Sequence, residues 1–148
     1  RRAKCLNICL DNKDGEVDFF LAGLLSGIKA DDSDNNEKRI RQKRKNIKIK
    51  TSKLPAILKS ENAPKTIDYL SIDVEGAEDR VLCEFPFSEY TFNCMTVERP
   101  GARLREVFKR NGYITIKELP GFDTFYIHES FKTDYVQNMI AFWQKERS

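Results

Sequence analysis

Residues 67–79 read IDYLSIDVEGAED, and few folds accommodate such a run. An apolar stretch of strand length ends on Asp73, a glycine follows at Gly76, and charged residues open the next segment. A buried strand that ends on an acidic residue and turns through a glycine into a helix is the joint of a βα unit. The pattern recurs in FNCMTVERPG, where the apolar run ends on Glu98 and a Pro-Gly turn leads into GARLREVFKRNGY. There Leu104, Val107 and Phe108 fall at i, i+3 and i+4, and Asn111-Gly112 supplies a left-handed stop. Two such joints in succession predict right-handed βαβ units in a parallel sheet.

The same pattern reading extends along the chain. Strands are expected at 3–10, 16–21, 47–51, 67–72, 92–98, 113–117 and 124–128, and helices at 53–60, 77–85, 103–111 and 133–145. The turn DNKDG, with Asp14-Gly15, predicts a hairpin between the first two strands. ELPGFD leaves room only for an antiparallel hairpin between the last two. The expected fold class is therefore α/β, with a mostly parallel sheet that ends in a C-terminal antiparallel hairpin. Residues 1–131 form one domain carrying a surface loop at 30–46, and 132–148 form a helical tail.

A chain of 148 residues buries about 68 to 70% of its unfolded surface, and the ten Phe, five Tyr and one Trp supply a core for it. No run of roughly 18 apolar residues is present, and the N-terminus is too short in apolar residues for a signal peptide. A soluble, cytoplasmic location is the default, with membrane anchoring only through an upstream segment. The net charge of +3 hides a local excess: nine basic residues lie between Lys38 and Lys53, and the remainder is acidic. That basic stretch has no interleaved aromatics to stack on bases, so a solvated loop is the reading and nucleic acid is not an expected partner. Neutralising Arg41, Lys43, Arg44 and Lys45 would test it. The four cysteines, Cys5, Cys9, Cys83 and Cys94, form no C-x-x-C pair. With a single histidine they make no usual zinc site, and their apolar surroundings predict buried free thiols.

In open α/β sheets ligands gather beyond the carboxyl ends of the strands, which singles out Asp73 and Glu98. If their strands are neighbours, the two share one edge. Helix capping competes for Asp73 and Glu75, and Glu78 and Asp79 read as first-turn charges. Gly76 permits close backbone approach. His128 reads as a strand-end residue, and Arg99 as one half of a surface ion pair. Gly23 and Gly27 lack the G-x-G-x-x-G spacing and are rejected as a cofactor loop.

TIDYLSIDVEGAEDRVL, FNCMTVER, the helix ending FKRNGY and the strand TFYIH together resemble the FkbM-type family of S-adenosylmethionine-dependent methyltransferases. Upstream, NICLDNKDGEVDFF and LLSGI are similar to that family's strand, turn, strand element and its following small-residue segment. The resemblance implies a Rossmann-like class I methyltransferase sheet and S-adenosylmethionine as cofactor. It implies methyl transfer, with oxygen the expected acceptor, and an acceptor molecule of unspecified class. Carried onto this sequence, Asp73, Glu75 and Glu98 are the implied catalytic residues and Gly76 the implied cofactor contact, with no metal assigned. Asp73 would act as base, orient a hydroxyl, or help hold a divalent ion. The family's glycine-rich first turn and ribose-binding second strand would precede Arg1, so the N-terminal strands are expected to be missing. The fragment alone is then expected to bind the cofactor weakly or not at all. The alternative is a catalytically inactive module used for protein interaction or trafficking.

Overall fold

The computed structural model describes residues 3–23, 26–30, 45–131 and 133–145. In chain order these give β1 (Cys9–Leu10), β2 (Gly15–Leu21), β3 (Gly27–Ile28), β4 (Lys45–Ser52), α1 (Leu54–Ser60), β5 (Thr66–Ile72) and α2 (Glu78–Leu82). There follow β6 (Thr91–Glu98), α3 (Ala102–Arg110), β7 (Tyr113–Glu118), β8 (Asp123–His128) and α4 (Asp134–Lys145). Residues 31–44 of the expected loop lie outside the described residues. Lys45 and Asn46, counted with that loop, instead begin β4.

The strands form two sheets, ordered β1-β4-β2-β3 and β5-β6-β8-β7. The α/β class holds, but the expectation of a mostly parallel sheet does not. Among the described residues only β1 with β4 and β5 with β6 run parallel; the other four pairings are antiparallel. The β7–β8 hairpin forms as expected, yet β8 and not β7 lies against β6. Burial explains the order: β8 is buried at Thr124, Tyr126 and Ile127, whereas β7 is closed only at Tyr113 and takes the edge.

The hairpin expected between the first two strands is also corrected, because β4 lies between them. The alternating KNIKIKTS of β4 pairs along the whole of β2. The DNKDG turn is tied to the end of β4: Asp14 Oδ1 accepts from Ser52 Oγ at 2.8 Å and from the Lys53 N–H at 3.2 Å. Thr51 Oγ1 donates to the Lys13 carbonyl at 2.9 Å.

The helices form where the pattern places them. Pro55 opens α1, α3 buries Leu104 and Phe108, and Gly112 after it has φ +79°. Against one face of the second sheet α1, α2 and α3 close an aromatic core. Phe87 packs edge-on at 5.8 Å from Phe108 and 5.5 Å from Tyr113, and Phe108 lies 4.8 Å from Tyr126. Leu10 packs against this core from the first sheet. A second tie joins the sheets where Arg80 Nε of α2 stands 3.3 Å from the buried Asp11 carboxylate. The cysteines are free, but the expectation that they are buried fails: Cys5 is exposed and the others are half-buried.

Inside the core the Phe92 N–H donates to Tyr113 Oη at 3.0 Å. Tyr113→Phe keeps the ring contacts and leaves that amide unpaired, so it is expected to cost about 1 to 2 kcal/mol in urea denaturation. No measurable loss would show that the bond contributes nothing net.

Candidate active site

β5 and β6 are parallel neighbours with Ile72 opposite Val97, so the next residue on each, Asp73 and Glu98, arrives at one edge. Past Asp73 the chain turns sharply. Glu75 has φ +53° and Gly76 φ +95° before α2 begins at Glu78. Past Glu98, Arg99 has φ +36°. Left-handed backbone costs a non-glycine residue roughly 1 to 2 kcal/mol, and both turns at this edge carry it.

The turns bring carboxylates together. One oxygen each of Asp73, Glu78 and Glu98 lies within 4.8 Å of the others, with Asp73 exposed, Glu98 half-buried and Glu78 buried. Among the described residues this group has the spacing to hold a divalent ion. Unit charges at such a distance repel by roughly 3 to 4 kcal/mol at an effective dielectric constant near 20, so the cluster needs a proton or a cation. Burial, and after it the neighbouring Asp73 carboxyl, raise Glu98 to a pKa of about 7. Glu98 Oε2 is closed off from solvent and meets no donor. Its neighbour Asp73 is itself an acceptor, so the pair hydrogen-bonds only by sharing a proton. The other oxygen takes Arg99 Nη2 at 2.6 Å, and Arg99 also stands 4.0 Å from Glu75.

The N-cap position of α2 is Ala77, which makes no side-chain cap bond. Glu78 and Asp79, read from sequence as first-turn charges, have further roles. Glu78 Oε1 accepts the Val74 N–H at 2.8 Å and so folds the turn back on itself. Asp79 Oδ1 reaches across to the Gly101 N–H at 2.9 Å and pins the second turn to the first. A Cβ at Gly101 would come 2.5 Å from Asp79 Oδ2, so a side chain there would displace the Asp79 carboxylate. Two more bonds hold the second turn: Arg105 Nε donates to the Pro100 carbonyl at 3.0 Å, and the Arg99 N–H to the Phe122 carbonyl at 2.8 Å.

Residues 1–115 match the family described as the methyltransferase FkbM domain. The chain belongs to that family. No curated protein and no solved structure matches it. Both acidic turns of this FkbM-domain chain lie inside the matched residues. His128 does not join them, because β8 runs antiparallel to β6 and pairs Asp123, its opposite end, with Glu98. Arg99 is an ion-pairing residue as expected, and Gly27 lies in β3 and not in a cofactor loop. Among the described residues no helix is long and apolar enough to cross a membrane. Sequence reasoning missed Glu78 as a member of the cluster; its signal was the glycine between it and Asp73, which lets the chain double back.

The raised pKa of Glu98 has a definite sign. An unfolded glutamate ionises near 4.5, while the folded one keeps its proton until about 7. Stability is fully present below 4.5 and is lost as pH rises through 7. Glu98→Gln removes that loss, so its stability relative to wild type is expected to grow by on the order of 2 kcal/mol between pH 4.5 and 8 in urea titrations. A difference that stays constant with pH would mean that Glu98 ionises normally.

Proposed function

We propose that the protein transfers a methyl group from S-adenosylmethionine to a hydroxyl oxygen, with Asp73 taking the hydroxyl proton. Family membership supports methyl transfer. The observation that carries the residue assignment is the juxtaposition of Asp73 and Glu98, one exposed and one half-buried, at the end of parallel strands. Glu98 holds its proton near neutral pH, and Asp73, the exposed member of the pair, stands next to the space where an acceptor enters. The acceptor's O–H bond breaks toward Asp73 as its oxygen gains the methyl group. Glu75, held by Arg99, keeps the turn in shape, and Gly76 admits the cofactor's backbone contact.

The reacting end of the cofactor fits this edge, because carboxylates suit a sulfonium cation and a glycine at φ +95° lets a ligand approach the main chain. When bound, the cofactor supplies an electrophilic methyl group on a sulfur that departs as a neutral thioether. Among the described residues β5 has β6 as its one strand neighbour, so its other edge is open beside the Asp73 turn. Alignment of two reactants accounts for most of the rate in such a transfer.

Methyl transfer from radiolabelled S-adenosylmethionine, measured with the protein and cell extract as acceptor source, tests the reading. Asp73→Asn preserves size and is expected to lower transfer by at least ~10²-fold with the fold intact. Unchanged turnover would remove Asp73 from the chemistry.

A further inference from the structure

Between the first sheet and the Asp73 turn lies a cleft of about 330 Å3. It would hold roughly ten waters at bulk density and falls at the lower end of small-molecule sites. Its walls are apolar: Leu6 and Ile8 from the segment before β1, Phe19, Ile28 and Ile49 from the first sheet, and Val74 from the turn. Leu6 and Ile8 are 40% and 43% exposed, so large apolar groups stand open at its rim.

The polar lining is sparse: the exposed Asn7 amide at the rim, Ser26, and the carboxylates of one end. Asp73 and Glu75 close one end, and among the described lining residues there is no Lys, Arg or His. Ser26 is committed elsewhere, its Oγ donating to the Gly23 carbonyl at 2.7 Å and accepting the Ala22 N–H at 2.9 Å. An anionic ligand would meet carboxylates with no lining cation to offset them. A polyol would bury hydroxyls against hydrocarbon with few groups to receive them. A hydrocarbon body with a single hydroxyl matches both the walls and the acidic end.

We infer that this cleft holds the methyl acceptor and that the acceptor is an apolar alcohol, its body against the Ile and Phe walls and its hydroxyl at Asp73. The assignment rests on the methyltransferase reading for the word acceptor, and on the cleft alone for the class of ligand.

Binding is followed by the methyl resonances of Ile8, Ile28 and Ile49 in the 148-residue protein during titration with 1-hexanol, 1-octanol, octanoate and glucose at pH 8. The alcohols are expected to shift these signals saturably, with affinity rising about fourfold per methylene. Octanoate should bind at least about tenfold more weakly than octanol, and glucose should leave the signals unmoved. Ile8→Asp, at a position already exposed enough to accept a charge, should weaken octanol at least about tenfold while distant amide signals stay in place. Octanoate binding as tightly as octanol, saturation by glucose, or an Ile8→Asp protein that binds normally would overturn the assignment. Absence of octanol binding would do so too, while leaving methyl transfer to be judged by Asp73→Asn. Normal octanol binding in a protein that transfers no methyl group would sink the enzymatic reading and keep the cleft.

Discussion

Ile72 stands opposite Val97 on parallel neighbours, and the acidic edge exists because of that register. Both residues are buried, and each is followed by a carboxylate that leaves the sheet at the same level. A slip of one residue would turn the apolar side chains of β5 outward and send Asp73 toward the core, so the core itself selects the alignment. The aromatic packing of Phe85, Phe87, Phe92 and Phe108 fixes the start of β6 against α3 and against the segment that follows α2. Local order at the acidic turns is thus a consequence of hydrophobic burial some distance away.

That support is needed because the edge is locally unfavourable. Three carboxylates crowd together, two non-glycine residues take left-handed backbone, and a half-buried glutamate holds a proton near neutral pH. Each costs stability, and such costs persist only where the surroundings over-determine the geometry. Here the surroundings are specific bonds. Glu78 closes the first turn, Asp79 joins it to the second, and Arg105 with the Phe122 carbonyl closes the second from the far side. The strain is spread over α2, α3 and the β7–β8 connection.

What could be read from sequence was mostly local. The helices, the β7–β8 hairpin and the strands ending at Asp73 and Glu98 follow from periodicity and turn residues within a dozen positions. Pairing partners did not follow. β4 separates β1 from β2, and β8 separates β6 from β7; burial accounts for the second order but not the first, where the mostly exposed β4 lies inside and the buried β3 at the edge. The apolar run 3–10 illustrates the limit: it contributes only Cys9 and Leu10 to a sheet, and Leu6 and Ile8 go to a cleft. In the site, the strand-end logic brought Asp73 and Glu98 together correctly. Glu78 was legible as a charge and illegible as a neighbour, since only the positive φ at Glu75 and Gly76 folds it back.

The proton on Glu98 links the acidic edge to the apolar cleft. A cluster carrying a full charge on every carboxylate would be strongly hydrated, and a water-filled edge is a poor neighbour for the Ile and Phe walls that begin at Val74. Holding a proton on Glu98 and setting Arg99 beside Glu75 lowers the charge at that boundary. Burial of Glu98 is therefore a requirement of the site, because it lets an anion and a hydrocarbon surface share one boundary.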